Sequence, residues 1–341
     1  MDVEEIVALS VKHNAADLHL CSGHLPRWRL DGILQPIPAL PPTSAPMLEA
    51  LCRRWLDADQ QASLKREGHV DFAVAAGGQR LRAQLFQQRQ GISLALRPIA
   101  SRCPTLEALR LPASVAALLR QPDGLILITG ATGSGKSTTL ASMVDAFNQQ
   151  TARHIITLED PIEFIHHSHC SLIQQRQIGQ HCRSFQQGLR AALREDPDVI
   201  LLGELRDADT IRLALTAAET GHLVLATLHT RGAAQAVDRL TDVFPAQQKG
   251  LVRSQLAASL KAVVAQRLVA AKGGGRVGLY EVLINTPAIA NLIREGKTHQ
   301  IAGLLQTGMH SGMQTFEQSL LQRQQQGLVA MPEGSQTSFP E

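Results

Sequence analysis

The sequence predicts an α/β protein in which a small α+β domain precedes a larger domain built on a mainly parallel sheet. Two observations predict this fold class. The 341 residues, 44% of them hydrophobic, supply enough apolar surface for two cores. The first part of the chain alternates polar and apolar residues, whereas from Leu125 onward short apolar runs alternate with amphipathic helical patterns.

Residues 1–98 are predicted to form the small domain. Apolar residues at helical spacing over positions 6–11 are followed by two short strands, at 17–21 and 27–30. The segment VDFAVAAGGQRLRAQLF alternates apolar and polar residues on both sides of a Gly-Gly pair, which is typical of a β-hairpin. The segment SLALRPI predicts one more strand.

Residues 113–285 are predicted to form the larger domain, after a proline-punctuated linker at 99–112. The apolar runs LILIT, HIITL, VILLG and HLVLATL are each followed by turn or helix signals. Such alternation predicts a mainly parallel sheet with helices on both faces. One helix is well marked, because Asp207 or Asp209 can cap its start and Gly221 can end it.

Residues 286–341 are predicted to form a helical C-terminal region. Thr286 and Pro287 before the segment AIANLIRE, with Gly296 after it, are typical of a capped helix. Two more helices are expected before about residue 326.

The composition argues against several functions. The 33 basic and 30 acidic side chains nearly balance, and no basic cluster predicts direct nucleic-acid binding. Five cysteines are scattered without a CxxC pair, so neither zinc nor a disulfide framework is expected. No apolar run reaches the roughly 20 residues that span a bilayer, and the start lacks a secretory signal, which predicts a cytoplasmic protein.

The segment GATGSGKST lies between the run LILIT and a helical pattern, the position of a phosphate-binding P-loop. Its glycines let backbone N–H groups surround the β-phosphate, while Lys136 reaches the β- and γ-phosphate oxygens and Ser137 offers a hydroxyl to Mg²⁺. ATP and Mg²⁺ are therefore the predicted ligands. The predicted nucleotide-binding residues are Gly130, Ala131, Thr132, Gly133, Ser134, Gly135, Lys136, Ser137 and Thr138.

An acidic cluster follows the run HIITL, where Glu159, Asp160 and Glu163 surround a proline that ends the strand. The carboxyl ends of parallel strands form the edge at which such sheets bind ligands. A carboxylate there can orient the attacking water or hold Mg²⁺. The alternative is an acidic loop in solvent.

Another carboxylate, Glu204, follows the run VILLG. Gly203 stands where many P-loop enzymes have aspartate, so Glu204 is predicted to contact Mg²⁺ through water. Asp198 lies about 20 Å back along the extended strand and is not expected to reach the site.

Two histidines flank the next strand, His222 before it and His229 after it. Since an extended chain rises about 3.3 Å per residue, both cannot contact one phosphate. His229 is the predicted γ-phosphate sensor, whereas His222 has a packing or neighbour contact as its alternative. The His-rich run at 166–170 is interpreted as a solvated or interface loop, because adjacent loop residues rarely converge on one metal ion.

Three arginines of the small domain are also candidates. Arg80 and Arg82 share one face of a predicted strand because side chains alternate, and Arg97 ends another strand. These side chains either form a solvent-facing basic patch or reach nucleotide bound by the larger domain.

These motifs together resemble the secretion ATPase superfamily that includes GspE, PilB and PilT, and within it the type IV pilus retraction ATPases of the PilT family. The resemblance covers nearly the whole chain. It rests on AADLHL, GATGSGKSTTLASM, ITLEDPIEF, LREDPDVILLGELRDADTIRLALTAAETGHLV, TLHT and DRLTDVFP.

The resemblance implies a PAS-like N-terminal domain joined flexibly to a RecA-like ATPase domain. We expect ATP binding to close the two domains around the nucleotide. The resemblance also implies a homohexameric ring, held at the inner membrane by a pilus platform protein. Residue by residue, Lys136 corresponds to the Walker A lysine, Glu163 to the catalytic carboxylate of the Asp box, and Glu204 to the Walker B glutamate. His222 and His229 correspond to the His box. Arg80, Arg82 and Arg97 resemble arginines that complete the nucleotide site.

The expected function is therefore an ATP-hydrolysing motor for pilus retraction and twitching motility. The four-cysteine zinc module of extension and secretion members is missing, which favours retraction. Ala290, however, stands where retraction members typically have arginine in this helix. The alternatives are a related motor for pilus extension or for protein or DNA transport, and a non-motor regulator gated by nucleotide.

Overall fold

The structure, a computed structural model, describes residues 2–13, 15–30, 32–99 and 103–330 of the chain. The chain divides into two units. The first comprises Met1–Arg102 with Pro161–Ile165, and the second comprises Cys103–Asp160 with His166–Glu341. The predicted linker at 99–112 and C-terminal region at 286–341 extend partly outside the described residues.

The first unit is built on an antiparallel sheet. Its elements are α1 (Val3–Lys12), β1 (Asp17–Cys21), β2 (Arg27–Leu30), β3 (Ile33–Pro36), α2 (Ala45–Trp55), α3 (Ala58–Glu67), β4 (His69–Ala76), β5 (Gln79–Gln88) and β6 (Gly91–Pro98). The strands lie in the order β3-β2-β1-β6-β5-β4. One face of the sheet packs with the helices in a core that includes Leu18, Leu85 and Leu96.

The predicted β-hairpin is formed by β4 and β5. Gly77 and Gly78 make its turn with φ angles of 58° and 74°, which side chains disfavour. A Cβ atom at Gly77 would also lie 2.8 Å from the backbone oxygen of Glu4 in α1. Glycine at position 77 is therefore required for space as well as for conformation.

The second unit is built on a mainly parallel sheet. Its elements are α4 (Ala113–Leu118), β7 (Gly124–Thr129), α5 (Lys136–Gln150), β8 (His154–Glu159), β9 (Leu172–Gln177), α6 (Phe185–Ala192), β10 (Val199–Leu202), α7 (Ala208–Glu219), β11 (Leu223–Leu228), α8 (Ala233–Asp242), α9 (Ala246–Ser259), β12 (Leu260–Ala270), β13 (Arg276–Ile284), α10 (Pro287–Glu295), α11 (Ile301–Thr307) and α12 (Phe316–Gln325), with short 3₁₀ helices at Thr298–Gln300 and Gly308–Ser311. The strand order is β13-β12-β7-β11-β10-β8-β9. Neighbouring strands are parallel, apart from β12 and β13.

Both faces of the second sheet are buried. Leu125 and Leu127 of β7 pack in one hydrophobic cluster, whereas Ile126 and Ile128 pack in another on the opposite face. Alternate side chains of a strand point to opposite faces, so a strand covered on both sides needs a continuous apolar run. The predicted α/β fold class, with an antiparallel-sheet unit before a parallel-sheet unit, is confirmed.

The helix signals in the sequence correspond to observed caps. Asp207 caps α7 by accepting a hydrogen bond from the Thr210 backbone N–H, at 2.9 Å. Thr286 caps α10, and Gly296 ends it in the left-handed conformation. Ala290 faces inward from α10 and is 7% exposed. In this chain, position 290 therefore contributes to the core rather than to the exposed surface of the helix.

Among the helices that the structure describes, none combines the length and apolar character that a membrane crossing requires.

Candidate nucleotide site

The P-loop connects the end of β7 to the start of α5. Gly130, Gly133 and Gly135 adopt φ angles of 153°, 76° and 90°, in the region that favours glycine. A Cβ atom at Gly130 would lie 2.4 Å from the backbone oxygen of Gln266, so the loop has no space for a side chain there. The glycines thus set a bare backbone turn before a helix N-terminus, a geometry that suits a phosphate group.

Lys136 is buried within this loop. Its Nζ donates hydrogen bonds to the backbone oxygens of Gly130 (3.0 Å) and Ala131 (3.1 Å). The same nitrogen lies 3.5 Å from Nδ1 of His229. These contacts hold the ammonium group at the loop, where it can also donate charge-assisted hydrogen bonds to phosphate oxygens.

The Ser134 hydroxyl is buried and makes no hydrogen bond within the described part of the chain. Buried polar groups usually have a partner, supplied by protein, water or a ligand. An unsatisfied hydroxyl in a glycine-lined loop fits a bound phosphate. Ser137 lies at the exposed second position of α5, where its hydroxyl is accessible.

Gln266 supports the P-loop from the neighbouring strand β12. Its Nε2 donates to the Ser134 backbone oxygen at 2.6 Å, and its Oε1 accepts from the Thr139 hydroxyl at 2.8 Å. The side chain is buried. Sequence reasoning missed this residue, although a single glutamine within the apolar run AVVAQRLVA is the signal that could have found it.

Glu204 and His229 meet at the carboxyl edge of the sheet. Glu204 follows β10 and His229 follows the parallel neighbour β11, so their strands bring them to the same edge. Nε2 of His229 lies 3.3 Å from Oε1 of Glu204. Through the contact of His229 with Lys136, the structure links the predicted Walker B glutamate, the predicted sensor and the P-loop lysine.

Arg206 occupies the other oxygen of Glu204. Its Nε donates to Oε2 at 2.7 Å, and its Nη2 lies 2.7 Å from the same atom. The hydrogen bond and the charge of Glu204 raise the pKa of Arg206, to which the charge of Asp160 also contributes. Arg206 was not a sequence candidate.

Two threonines position the loop that carries His229. The Thr230 backbone N–H donates to the hydroxyl of Thr129, the last residue of β7, at 2.9 Å. On the other side, the Thr227 hydroxyl donates to the backbone oxygen of Gly203. The His229 loop is therefore fixed both to the strand before the P-loop and to the segment before Glu204.

The acidic cluster is divided between the two units. Glu159 ends β8, where its Oε1 accepts from the Thr157 hydroxyl (2.6 Å) and from Gln175 Nε2 (3.0 Å). Asp160 is the next residue of the second unit. Glu163 belongs to Pro161–Ile165, which packs with the first unit. The catalytic role of Glu163 stays a prediction.

His222 and Asp198 lie at the opposite edge of the sheet from the P-loop. Nδ1 of His222 is 3.0 Å from the backbone oxygen of Ala217, the last turn of α7. Asp198 accepts from the backbone N–H of His154 at the start of β8, at 2.8 Å. The structure thus brings His229, and not His222, to the edge that carries the P-loop.

The three arginines of the first unit share the face of its sheet that points away from the core. Arg82 and Arg97 are directly opposite each other on β5 and β6, and Arg80 lies two residues before Arg82. Nε of Arg97 donates to Asp17 at 2.8 Å, and Arg29 lies 3.5 Å from the same carboxylate. Asp17, which was not a candidate from the sequence, therefore orients Arg97 and Arg29.

The His-rich run forms a loop against α5. Asn148 donates to the His167 backbone oxygen at 2.7 Å and accepts from the His169 N–H at 2.8 Å. Burial lowers the pKa of His166, which favours its neutral form. Across the part of the chain that the structure describes, no group of three His, Cys, Asp or Glu residues is placed to hold a metal ion.

Comparisons with known proteins identify the family of this chain. The family model described as "Type II/IV secretion system protein" matches residues 3–335. The chain is 62% identical over 328 residues to the "Uncharacterized protein YggR" of Escherichia coli K12, which covers 96% of this chain and 99% of that protein. It is 46% identical over 331 residues to the "Type IV pilus retractation ATPase PilT" of Pseudomonas aeruginosa, with 97% and 94% covered.

A solved structure is similar over the same extent. The crystal structure of the pilus retraction motor PilT with bound ADP matches with a TM-score of 0.89 and 42% identity. The match covers 97% of this chain and 95% of that one. The similarity in fold and in sequence thus extends over both units.

Proposed function

Since this chain belongs to the family of type II/IV secretion system proteins, we propose that it is an ATP-driven motor that retracts type IV pili. The chain is an ATPase, which converts ATP and water to ADP and phosphate. The contact series Lys136–His229–Glu204 is the observation that supports placing hydrolysis at the P-loop edge.

The P-loop residues and Lys136 would hold the phosphates. For Mg²⁺, the chain offers the Ser137 hydroxyl and the Glu204 carboxylate, the latter through water. This small donor set fits the ion, because Mg²⁺ in such sites keeps several waters and is completed by phosphate oxygens. When bound, Mg²⁺ would neutralise charge on the β- and γ-phosphates.

Hydrolysis also needs a group that orients water. We assign this role to Glu163. His229 would contact the γ-phosphate and, through its contacts with Glu204 and Lys136, couple the presence of that phosphate to both residues. Arg80, Arg82 and Arg97 would supply additional positive charge to the phosphates. His222 serves as a support of the strand start rather than as a phosphate contact.

The motor would act as a homohexamer on an inner-membrane platform protein, in the cytoplasm at the membrane surface. The relative from P. aeruginosa is named as a pilus retraction ATPase, and this supports pilin disassembly and twitching motility as the output. The proposal includes neither zinc nor nucleic acid as a ligand.

The Glu204→Ala variant tests the site. Removal of this carboxylate is expected to lower phosphate release by about 100-fold or more, because a charged group near the reacting phosphates is lost. Glu219→Ala, which removes an exposed glutamate from α7, is the matched control and should keep normal turnover. Unchanged hydrolysis by Glu204→Ala would refute the site assignment.

Deletion of the gene tests the direction of the motor in a cell that builds pili. A retraction motor predicts more surface pili and loss of twitching. Loss of surface pili would instead indicate an extension motor, and an unchanged number of pili would indicate a different function.

A further inference from the structure

Both oxygens of the Glu204 carboxylate contact side chains of its own unit. Arg206 holds Oε2 through Nε and Nη2, both at 2.7 Å, and His229 lies 3.3 Å from Oε1. A guanidinium that donates to Oε2 from Nε and places Nη2 against the same atom competes with metal-bound water for that oxygen. Release of Oε2 by Arg206 would therefore make the Glu204 carboxylate more available to water bound to Mg²⁺.

Arg206 is the more exposed member of the pair. Its side chain is 68% exposed, whereas that of Glu204 is 19% exposed. The two residues are separated by only Leu205, which is buried and donates its backbone N–H to the Thr227 oxygen at 3.0 Å. The backbone is thus fixed between them, and the pair can open by movement of the arginine side chain alone.

A second acidic group is available to Arg206. The charge of Asp160, which follows β8, acts on the guanidinium together with that of Glu204. Strand β8 is the parallel neighbour of β10, so Asp160 and Glu204 follow adjacent strands at one edge of the sheet. An arginine that leaves Glu204 would therefore remain beside a carboxylate.

We propose that Arg206 is a positioning residue that holds Glu204 and moves to Asp160 when Mg²⁺–nucleotide binds. This inference rests on the proposed function, in which Glu204 holds Mg²⁺ through water. Breaking the Arg206–Glu204 pair then opposes binding of the ion, so the arginine sets how strongly Mg²⁺ increases nucleotide affinity.

The Arg206→Gln variant tests this role through ADP binding to the full chain, measured by titration with and without Mg²⁺. Exposed ion pairs typically contribute about 0.2–1 kcal/mol, equivalent to about a 1.4- to 5-fold change in a binding constant. We expect Mg²⁺–ADP to bind about 2- to 5-fold more tightly to Arg206→Gln than to the wild type. The affinity for Mg²⁺-free ADP should change little.

Matched variants separate this role from a general loss of charge. Arg190→Gln removes another exposed arginine from the same unit and should leave both affinities unchanged. Arg206→Lys retains a positive charge near Glu204 and should restore much of the wild-type behaviour. In a Glu204→Gln background, Arg206→Gln should have no further effect on the Mg²⁺ dependence, because the pair is already lost. Asp160→Asn should weaken Mg²⁺–ADP binding, because the alternative partner of the arginine is removed.

Two results would overturn the proposal. Weaker ADP binding by Arg206→Gln in both conditions would make the arginine a direct phosphate ligand. A gain that persists in the Glu204→Gln background would show that the arginine does not act through Glu204. The proposed function fails separately: if Glu204→Gln alone leaves the Mg²⁺ dependence of ADP binding unchanged, Glu204 does not hold the ion, and the role of Arg206 falls with it.

Discussion

At the scale of single residues, the P-loop depends on one buried amide. Gln266 satisfies the Ser134 carbonyl and the Thr139 hydroxyl, and its own backbone oxygen limits the space at Gly130. The conformation of the loop is therefore set partly by a strand that begins 130 residues after Gly130 in the chain. The P-loop therefore has its phosphate-binding conformation before a phosphate binds.

Gln266→Leu is expected to lower both stability and nucleotide affinity. The substitution leaves two buried polar groups without their partner, each at a cost of about 1–3 kcal/mol in the free energy of unfolding. We expect ADP affinity to fall about tenfold, equivalent to 1.4 kcal/mol, because the loop loses its support. Urea unfolding and ADP titration measure the two effects.

Gln325→Leu is the matched control, since Gln325 is exposed at the end of α12. It should change neither quantity. Normal ADP affinity in folded Gln266→Leu would show that the P-loop holds its conformation without the amide.

The residues of the site differ in how far the sequence could predict them. The P-loop could be predicted from the sequence because its conformation depends on glycines within one short segment. The roles of Thr129 and Gln266 could not be predicted, because their partners are distant in sequence. Thr230, the partner of Thr129, lies 101 residues away, and Thr139, the partner of Gln266, lies 127 residues away. The roles of such residues can be recognised only when the strand order is known.

At the scale of secondary structure elements, local signals predicted the helix ends well. The sequence left Asp207 and Asp209 open as caps of α7. The structure selects Asp207, whose two carboxylate oxygens accept from the backbone N–H and the hydroxyl of Thr210. Asp209 instead lies in the first turn, where it accepts from Gln186 of α6.

Asp207→Ala is expected to reduce the free energy of unfolding by about 1 kcal/mol, because a helix loses its N-terminal cap. Asp207→Ser retains a capping oxygen and should recover most of the loss. Asp209→Ala should cost less, since it removes a surface contact and not the cap. Equal losses for Asp207→Ala and Asp209→Ala in urea unfolding would contradict the cap assignment.

The sheet was harder to predict at its edges than at its centre. The predicted runs correspond to β7, β8, β10 and β11, which are buried on both faces and therefore continuously apolar. Strand β9 escaped prediction because the edge strand LIQQRQ is largely polar. Strand β12 follows α9 without an intervening residue, so no turn signal announces it.

At the scale of the whole molecule, the order of the two units followed from the change in hydrophobic pattern. The sequence pattern did not predict the grouping of Pro161–Ile165 with the first unit, because this grouping depends on packing between segments that are distant in sequence.

Within the second unit, Glu281 of β13 connects several elements. Its Oε1 accepts from the Ala233 N–H at the start of α8, at 2.8 Å, and Arg267 and Glu317 act on its charge.

The stability of the folded chain should depend on pH through Glu281. Burial raises the pKa of Glu281, despite the opposing Ala233 N–H and Arg267. A carboxyl group whose folded-state pKa exceeds its unfolded value of 4.5 stabilises the fold below that value, and this contribution is lost as pH rises through the folded-state pKa. Glu281→Gln keeps an oxygen for Ala233 but cannot ionise.

The free energy of unfolding of Glu281→Gln, relative to the wild type, should therefore increase as pH rises above 4.5, and level off once the pH exceeds the folded-state pKa of Glu281. Urea unfolding across this range measures the difference. Glu317→Gln is the control, because it removes a like charge beside Glu281 while leaving that carboxyl in place, and it should shift the wild-type transition to lower pH. A pH-independent difference between Glu281→Gln and the wild type would mean that Glu281 ionises equally in the folded and unfolded chains, and that its burial carries no electrostatic cost.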